Sequence, residues 1–283
     1  MEKLASGYGL IEGPVWDDDR GLVFSDVIFG GAFALNEDGA VEQVIAYRKG
    51  MGGMAPHKDG GLVVSGRNIS HKAFGAEGST CLLEPDGNLG VIGFNDLTTD
   101  HKGRIYVGGL TFRPVGSVEE PTPGPLYCID TDGRARVVGQ DVMLTNGLGF
   151  SPDGKRLYHS ESRRNLLRVY EVDDNGDLSP HQTFAKVENG VPDGLAVADD
   201  GSVWVAVAHG SRVDVFEPDG SLRRSIPVPL PMVTSVCFGG EELDELFIVT
   251  GSGGADNDRA GTIYRLSTEV TGLPITPAVQ PLS

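Results

Sequence analysis

Glu12, Asn95, Asn146 and Asp193 fall at the same point of a repeating pattern, at a spacing of roughly 40–50 residues, the length of one repeat unit in many ring-shaped proteins. Two carboxylates and two carboxamides gathered in a restricted space repel one another and lack donors unless a cation sits among them. Oxygen-only donors suit a hard ion, Ca2+ first and then Mg2+ or Mn2+. Zn2+ remains an alternative, although no His or Cys takes an equivalent position. An ion held this way polarises a carbonyl oxygen and stabilises the charge that grows on it when water attacks. Taken singly, Asn146-Gly147 and Asp193-Gly194 also read as residues capping their own loops. Four in register point to a shared centre, and the two remaining equivalent positions are Gly53 and Ser235.

The elements that must position these side chains are legible from turns. About eight residues beyond each aligned position comes a tight-turn signal, because Gly accepts positive φ and Asp bonds to nearby backbone. These turns end at Gly21, Gly60, Gly103, Gly154 and Gly201, with a degenerate Glu242-Leu243-Asp244 in the last unit. An apolar, β-prone run follows each one, as in Leu62-Val63-Val64 and Val203-Trp204-Val205. A second set of turns lies at Asp38-Gly39, Asp86-Gly87, Asp132-Gly133, Asn175-Gly176 and Asp219-Gly220, with a weaker Val270-Thr271-Gly272. Strand, turn, strand, connection, strand, turn, strand is the pattern of a propeller blade. The reading is an all-β, six-bladed propeller of four antiparallel strands per blade, a single domain over 1–283. A β-sandwich does not explain the two-turn alternation. The few helix candidates, such as Asn68 to Phe74, are short. A ring needs its ends joined, so Lys3 to Leu10 is expected to supply the outer strand of the sixth blade. Trp16 and Trp204 fall on strands and read as core.

Composition narrows the class. The chain has 41 Gly and 17 Pro, in line with many turns, and a net charge of −17. No basic patch suggests nucleic acid, and no apolar run approaches the roughly 18 residues of a membrane span. Met1 to Leu10 lacks the pattern of a secretory signal, and Cys81, Cys128 and Cys237 have no ligand spacing. They read as reduced, mostly buried thiols of a cytoplasmic protein, a monomer or weak homo-oligomer. His159 and Ser160 are adjacent on a strand and point to opposite faces, so they form no nucleophile–base pair.

Five short motifs, kept in order, resemble the senescence marker protein/gluconolactonase/luciferin-regenerating enzyme family of six-bladed propellers. They are Glu12-Gly13-Pro14-Val15-Trp16, Asn95-Asp96-Leu97, Asn146-Gly147-Leu148-Gly149-Phe150, Pro192-Asp193-Gly194-Leu195 and Thr234-Ser235-Val236-Cys237-Phe238. The resemblance spans about residues 8–268 and implies a metal-dependent hydrolase of small-molecule lactones. It implies Glu12, Asn146 and Asp193 as metal ligands, Asn95 as a fourth ligand or substrate contact, and Asp193 as general base.

The chain departs from that family where substrate is recognised. Sugar lactonases of the family carry an Arg two residues before the Asn95 position, where Gly93 stands. They carry an acidic residue where Arg113 is found. Arg113, Arg67, His209 and Phe112, with His71, follow channel-side strands and are expected at the mouth. Two arginines there suit an anionic lactone. Two alternatives stay open: hydrolysis of another bond at the same site, such as a phosphotriester, and a non-catalytic calcium-binding propeller.

Overall fold

The computed structural model describes residues 1–114 and 120–282. After β1 (Glu2–Tyr8), the chain builds six four-stranded sheets in succession. Blade one holds β2 (Ile11–Asp17), β3 (Gly21–Asp26), β4 (Ala32–Leu35) and β5 (Val41–Ile45). Blade two holds β6 (Met54–Pro56), β7 (Leu62–Val64), β8 (Ile69–Lys72) and β9 (Thr80–Leu83). Blade three holds β10 (Gly93–Thr99), β11 (Ile105–Leu110), β12 (Gly124–Ile129) and β13 (Ala135–Val142). Blade four holds β14 (Thr145–Phe150), β15 (Arg156–Glu161), β16 (Leu166–Glu171) and β17 (Gln182–Lys186). Blade five holds β18 (Val191–Val197), β19 (Val203–Ala208), β20 (Arg212–Phe216) and β21 (Leu222–Pro227). Blade six holds β22 (Val233–Gly239), β23 (Glu245–Thr250) and β24 (Gly261–Ser267), and β1 pairs with β24 to complete it.

The first strand of each blade is innermost, and β2, β6, β10, β14, β18 and β22 touch their neighbours around a closed ring. Closure works as the sequence suggests: β1 runs antiparallel to β24, from Glu2 opposite Arg265 to Tyr8 opposite Gly261. Each pair of adjacent blades shares an apolar cluster, so a middle strand is buried on both faces. This explains why the second strands read as continuous apolar runs rather than alternating ones. Trp204 illustrates the packing. It is fully buried between blades five and six, edge-on to Phe238, with its indole N–H donated to Ser202 Oγ at 2.9 Å. Trp16 stacks on Phe247 where blades six and one meet.

Several expectations need correction. Asn68 to Phe74 contains strand β8, not a helix, because its residues pair with β7 and β9. Asp86-Gly87 is not a hairpin turn. It follows β9, and the Asp86 carboxylate caps a short 3-10 turn at Gly87–Leu89 by accepting the Asn88 N–H. Asp-Gly serves both purposes, and spacing alone does not separate them. The degenerate turn of blade six is real, with Leu243 in the left-handed region at φ 54°.

The last expected turn, at Gly272, is absent because β1 already occupies the edge of β24. The chain crosses the turn face of the ring instead. Leu273 N–H donates to Val197 O, Ala278 N–H to Pro56 O, and the Gln280 amide to the carbonyls of Gly103, Ile129 and Asp130. All three cysteines are free; Cys128 and Cys237 are buried and Cys81 is exposed. Among the described residues no helix is long and apolar enough to cross a membrane.

Candidate metal and active site

A β-bulge recurs where the inner strands approach the axis. In β10, Phe94 pairs with Gly109 and the next paired residue is Leu97, opposite Val107. The same extra residue separates Thr145 from Leu148 in β14 and Pro192 from Leu195 in β18. A bulge bends the strand and re-aims side chains that alternation would send to opposite faces. Asn95, Asn146 and Asp193 are each the first bulged residue. In β2 the bulge lies between Glu12 and Val15, and Glu12 is itself the paired residue before it. Glu12 therefore joins the centre one position early, and Gly13 takes the aligned place at φ 54°.

Glycines let the inner strands close up. A Cβ on Gly147 would lie 2.2 Å from Leu195 N, and one on Gly194 would lie 1.9 Å from Ser235 Oγ. In blade two the place of a side chain is filled from blade three, since a Cβ on Gly52 would lie 2.6 Å from Asn95 Oδ1.

Hydrogen bonds fix both carboxamides. Asn95 Nδ2 donates to Asn146 Oδ1 at 2.5 Å and to Thr145 O at 2.7 Å. Asn146 Nδ2 donates to Ser162 Oγ at 2.8 Å, and Ser162 donates onward to Pro192 O at 2.7 Å. Asp193 is 5% exposed, and its Oδ1 is buried with no hydrogen-bond partner. Burial pushes the Asp193 carboxyl up, and the charge of Asp96 pushes it further. Glu12 is raised by burial, then by Asp193 and Asp96. Asp96 is pushed up to about 7 by burial, partly offset by the Leu97 N–H. No Lys, Arg or His is among the groups acting on these three.

Three carboxyls whose pKa is raised, one orphaned carboxylate oxygen and two oriented carboxamides fit a hard divalent cation. No group of three or more His, Cys, Asp and Glu side chains among the described residues is placed to hold an ion, so carboxamides must complete any set here. The donor chemistry favours Ca2+ or Mg2+ over a nitrogen- and sulfur-ligated zinc.

Asp96 was missed from sequence although it stands beside Asn95. Strict alternation assigns neighbours to opposite faces, and the bulge suspends that rule. Ser162 was missed because it lies outside the repeated inner strand. Asp96 also lines a cavity of about 1120 Å³ that extends from Gly13 and Ser235 to Asp153 and the crossing segment Leu273–Pro277. Glu12, Asn95, Asn146 and Asp193 do not line it, so it lies on the far side of the centre from the mouth loops.

Arg67, Arg113 and His209 are all exposed in loops after the second strands, with His209 at φ 60°. A Cβ on Gly93 would meet Gly66 O at 3.0 Å, a tight contact, and Arg67 Cα at 3.9 Å. Phe112 is only 2% exposed, and the Arg163 guanidinium covers its ring at 5.4 Å from the centroid. The aromatic surface expected at the mouth is thus overlaid by a cation. His71 is not at the mouth. It is buried at the turn face, against His57 and the Gly60 carbonyl.

A closed ring of six four-stranded blades defines a six-bladed β-propeller. The chain belongs to the SMP-30/Gluconolactonase/LRE-like family, whose model matches residues 10–252. It is 33% identical to a 6-deoxy-6-sulfogluconolactonase of Pseudomonas putida, over 84% of this chain and 82% of that one. It is 29% identical to a pentonolactonase of Haloferax volcanii, over 93% of this chain and 92% of that one. The solved structure of a calcium-binding regucalcin from Agrobacterium tumefaciens superposes with a TM-score of 0.86 at 21% identity, covering 99% of this chain and 97% of that one. At that identity the likeness is one of fold.

Proposed function

We propose that this protein is a metal-dependent hydrolase that opens a small-molecule lactone. Glu12, Asn146 and Asp193 would hold the divalent ion, Ca2+ first, with Asn95 as fourth ligand or substrate contact. When bound, the ion supplies electrostatic stabilisation of the charge that develops on the lactone carbonyl oxygen. The observation that carries this reading is the Asp193 Oδ1, which is buried at the centre without a partner. The relatives named as lactonases support the bond type.

The chain's own residues divide the remaining work. Asp193 accepts the proton of the attacking water, as its orphaned oxygen allows. Asn95 and Asn146 add no charge and so leave the ion's field uncancelled. Ser162 holds Asn146 in one orientation. Arg67, Arg113 and His209 flank the mouth as substrate contacts, and the buried Phe112 acts there as a support for Arg163 rather than as open contact surface.

The test is acid release from a panel of neutral and anionic lactones by chelated protein, with Ca2+, Mg2+, Mn2+ or Zn2+ restored. The reading expects turnover that requires the ion and is lost in Asp193→Ala. Ion binding without turnover on the whole panel would overturn it.

A further inference from the structure

Arg163 stands beside a residue that braces the centre. It lies in a single 3-10 turn, Ser162–Arg164, closed by Asn165 in the left-handed region. Ser162 contacts both Asn146 and the carbonyl of Pro192, the residue before Asp193. Arg163 is thus one residue from the side chain that ties two members of the centre together.

Its neighbours hold that turn in place. Arg164 pairs with Asp141 at 2.6 Å and Glu161 at 3.3 Å, and Arg168 pairs with Glu161 at 3.0 Å. Glu161 also accepts the N–H groups of Met143 and Leu144, which lead into Asn146. Arg163 itself is exposed and makes no ion pair or hydrogen bond among the described residues, in a chain with 40 acidic residues against 23 basic ones. Arginines elsewhere on this surface, such as Arg136 and Arg223, find carboxylates.

The guanidinium of Arg163 lies over Phe112, on the loop after β11 in the neighbouring blade. A cation over an aromatic face is oriented by the ring quadrupole, and its N–H edges stay open. Arg113 follows Phe112 directly, and Arg67 sits beside Gly93. Arg67, Arg113 and Arg163 therefore follow the second strands of the consecutive blades two, three and four. A planar guanidinium with free edges recognises carboxylate, sulfonate or phosphate oxygens by paired hydrogen bonds.

We propose that Arg163 determines specificity by binding an oxyanion substituent of the lactone, remote from the carbonyl that is attacked. This rests on the lactonase reading above and names the substrate class within it. Wild-type, Arg163→Met, Arg163→Lys and Arg163→Glu proteins, all loaded with Ca2+, are compared on three lactones that share one ring. The lactones differ only in carrying a hydroxymethyl, a carboxylate or a sulfonate group.

The expected result is a fall of about tenfold or more in the ratio of anionic to neutral kcat/KM in Arg163→Met, carried by KM, as loss of a hydrogen bond to a charged group implies. Arg163→Lys should recover part of it and Arg163→Glu should lose more. Added salt should lower the wild-type ratio and leave the Arg163→Met ratio nearly unchanged. Carboxylate and sulfonate responses that differ from each other would identify the oxyanion. Turnover with a ratio that is the same in all four proteins overturns the inference alone. No turnover of any lactone by the wild type removes the lactonase reading and this inference with it.

Discussion

Ser162 Oγ donates to the carbonyl oxygen of Pro192 across the junction of blades four and five, at 2.7 Å. The same hydroxyl accepts the Asn146 amide, so one buried atom sets the spacing between two central residues. Ser162→Ala leaves the Asn146 amide and the Pro192 carbonyl unpaired. We expect a loss of about 1–3 kcal/mol in stability from denaturant unfolding. Calorimetry should show Ca2+ affinity reduced about tenfold or more, the usual effect of removing a residue that orients a ligand. An unchanged affinity would detach Ser162 from the site.

Asp193→Asn should separate folding from function. The substitution keeps the shape and removes one of three mutually repelling carboxyls. Chelated Asp193→Asn protein is expected to melt no lower than chelated wild type at pH 8. Added Ca2+ should then raise its melting temperature far less than that of wild type, and lactone turnover should vanish. Full turnover with the ion bound would transfer the proton-accepting role to another group, and Asp96 would be examined next.

The raised carboxyls fix the sign of a pH effect. Burial pushes the Asp96 carboxyl up to about 7 from the usual 3.8, and Glu12 and Asp193 are shifted in the same direction. Between those values the native state binds more protons than the unfolded chain, so stability falls as pH rises. Chelated protein should therefore lose stability from about pH 4 to about pH 7 through these groups. Saturating Ca2+ should flatten or reverse that trend, and apparent Ca2+ affinity should climb over the same window as protons are displaced. Denaturant melts in chelator and in Ca2+ across pH 4.5 to 8 would check both. A metal-independent pH profile would contradict the shared centre.

Deleting residues 1–8 removes β1 from the edge of β24 and uncovers part of the cluster between blades six and one. We expect the melting temperature to fall by on the order of 10 °C, the equivalent of several kcal/mol in a chain of this size. The exposed Glu2–Arg265 pair contributes little of that. A truncated chain that melts like the full one would mean that the ring does not depend on this closure.

The repeat was legible because its Asp-Gly turns obey local rules that tertiary packing leaves alone. Gly21, Gly103, Gly133, Gly154, Gly176 and Gly201 all adopt the positive φ that their turns require. What the sequence hid were features set by pairing. The spacing rule shared by Asn95, Asn146 and Asp193 slips by one at Glu12, and only the register of β2 with β3 shows it. Asp96 entered the centre through a bulge that no periodicity announces. His71 and Phe112 looked like mouth residues from strand order, yet their burial depends on what other blades bring to them, His57 in one case and Arg163 in the other. The crossing of the turn face by Leu273–Gln280 follows from an edge already taken by β1, a contact between opposite ends of the chain.

That contact also governs the order in which the molecule can assemble. Glu2 meets Arg265 across a sequence separation of 263 residues. Blades one to five can each form from a contiguous stretch, but blade six has no outer strand until β24 has left the ribosome. Until then β1 is an unpaired strand and the sides of blades one and five that will face blade six are bare, as templates for pairing with other chains. Among the described residues ring closure is the most non-local strand pairing, and long-range pairing carries the larger loop-closure cost. The centre becomes complete only with it, because Glu12 on blade one and Asp193 on blade five face each other across the gap that blade six fills. A nascent chain stalled short of β24 therefore has its central carboxyls and carboxamides made but not assembled.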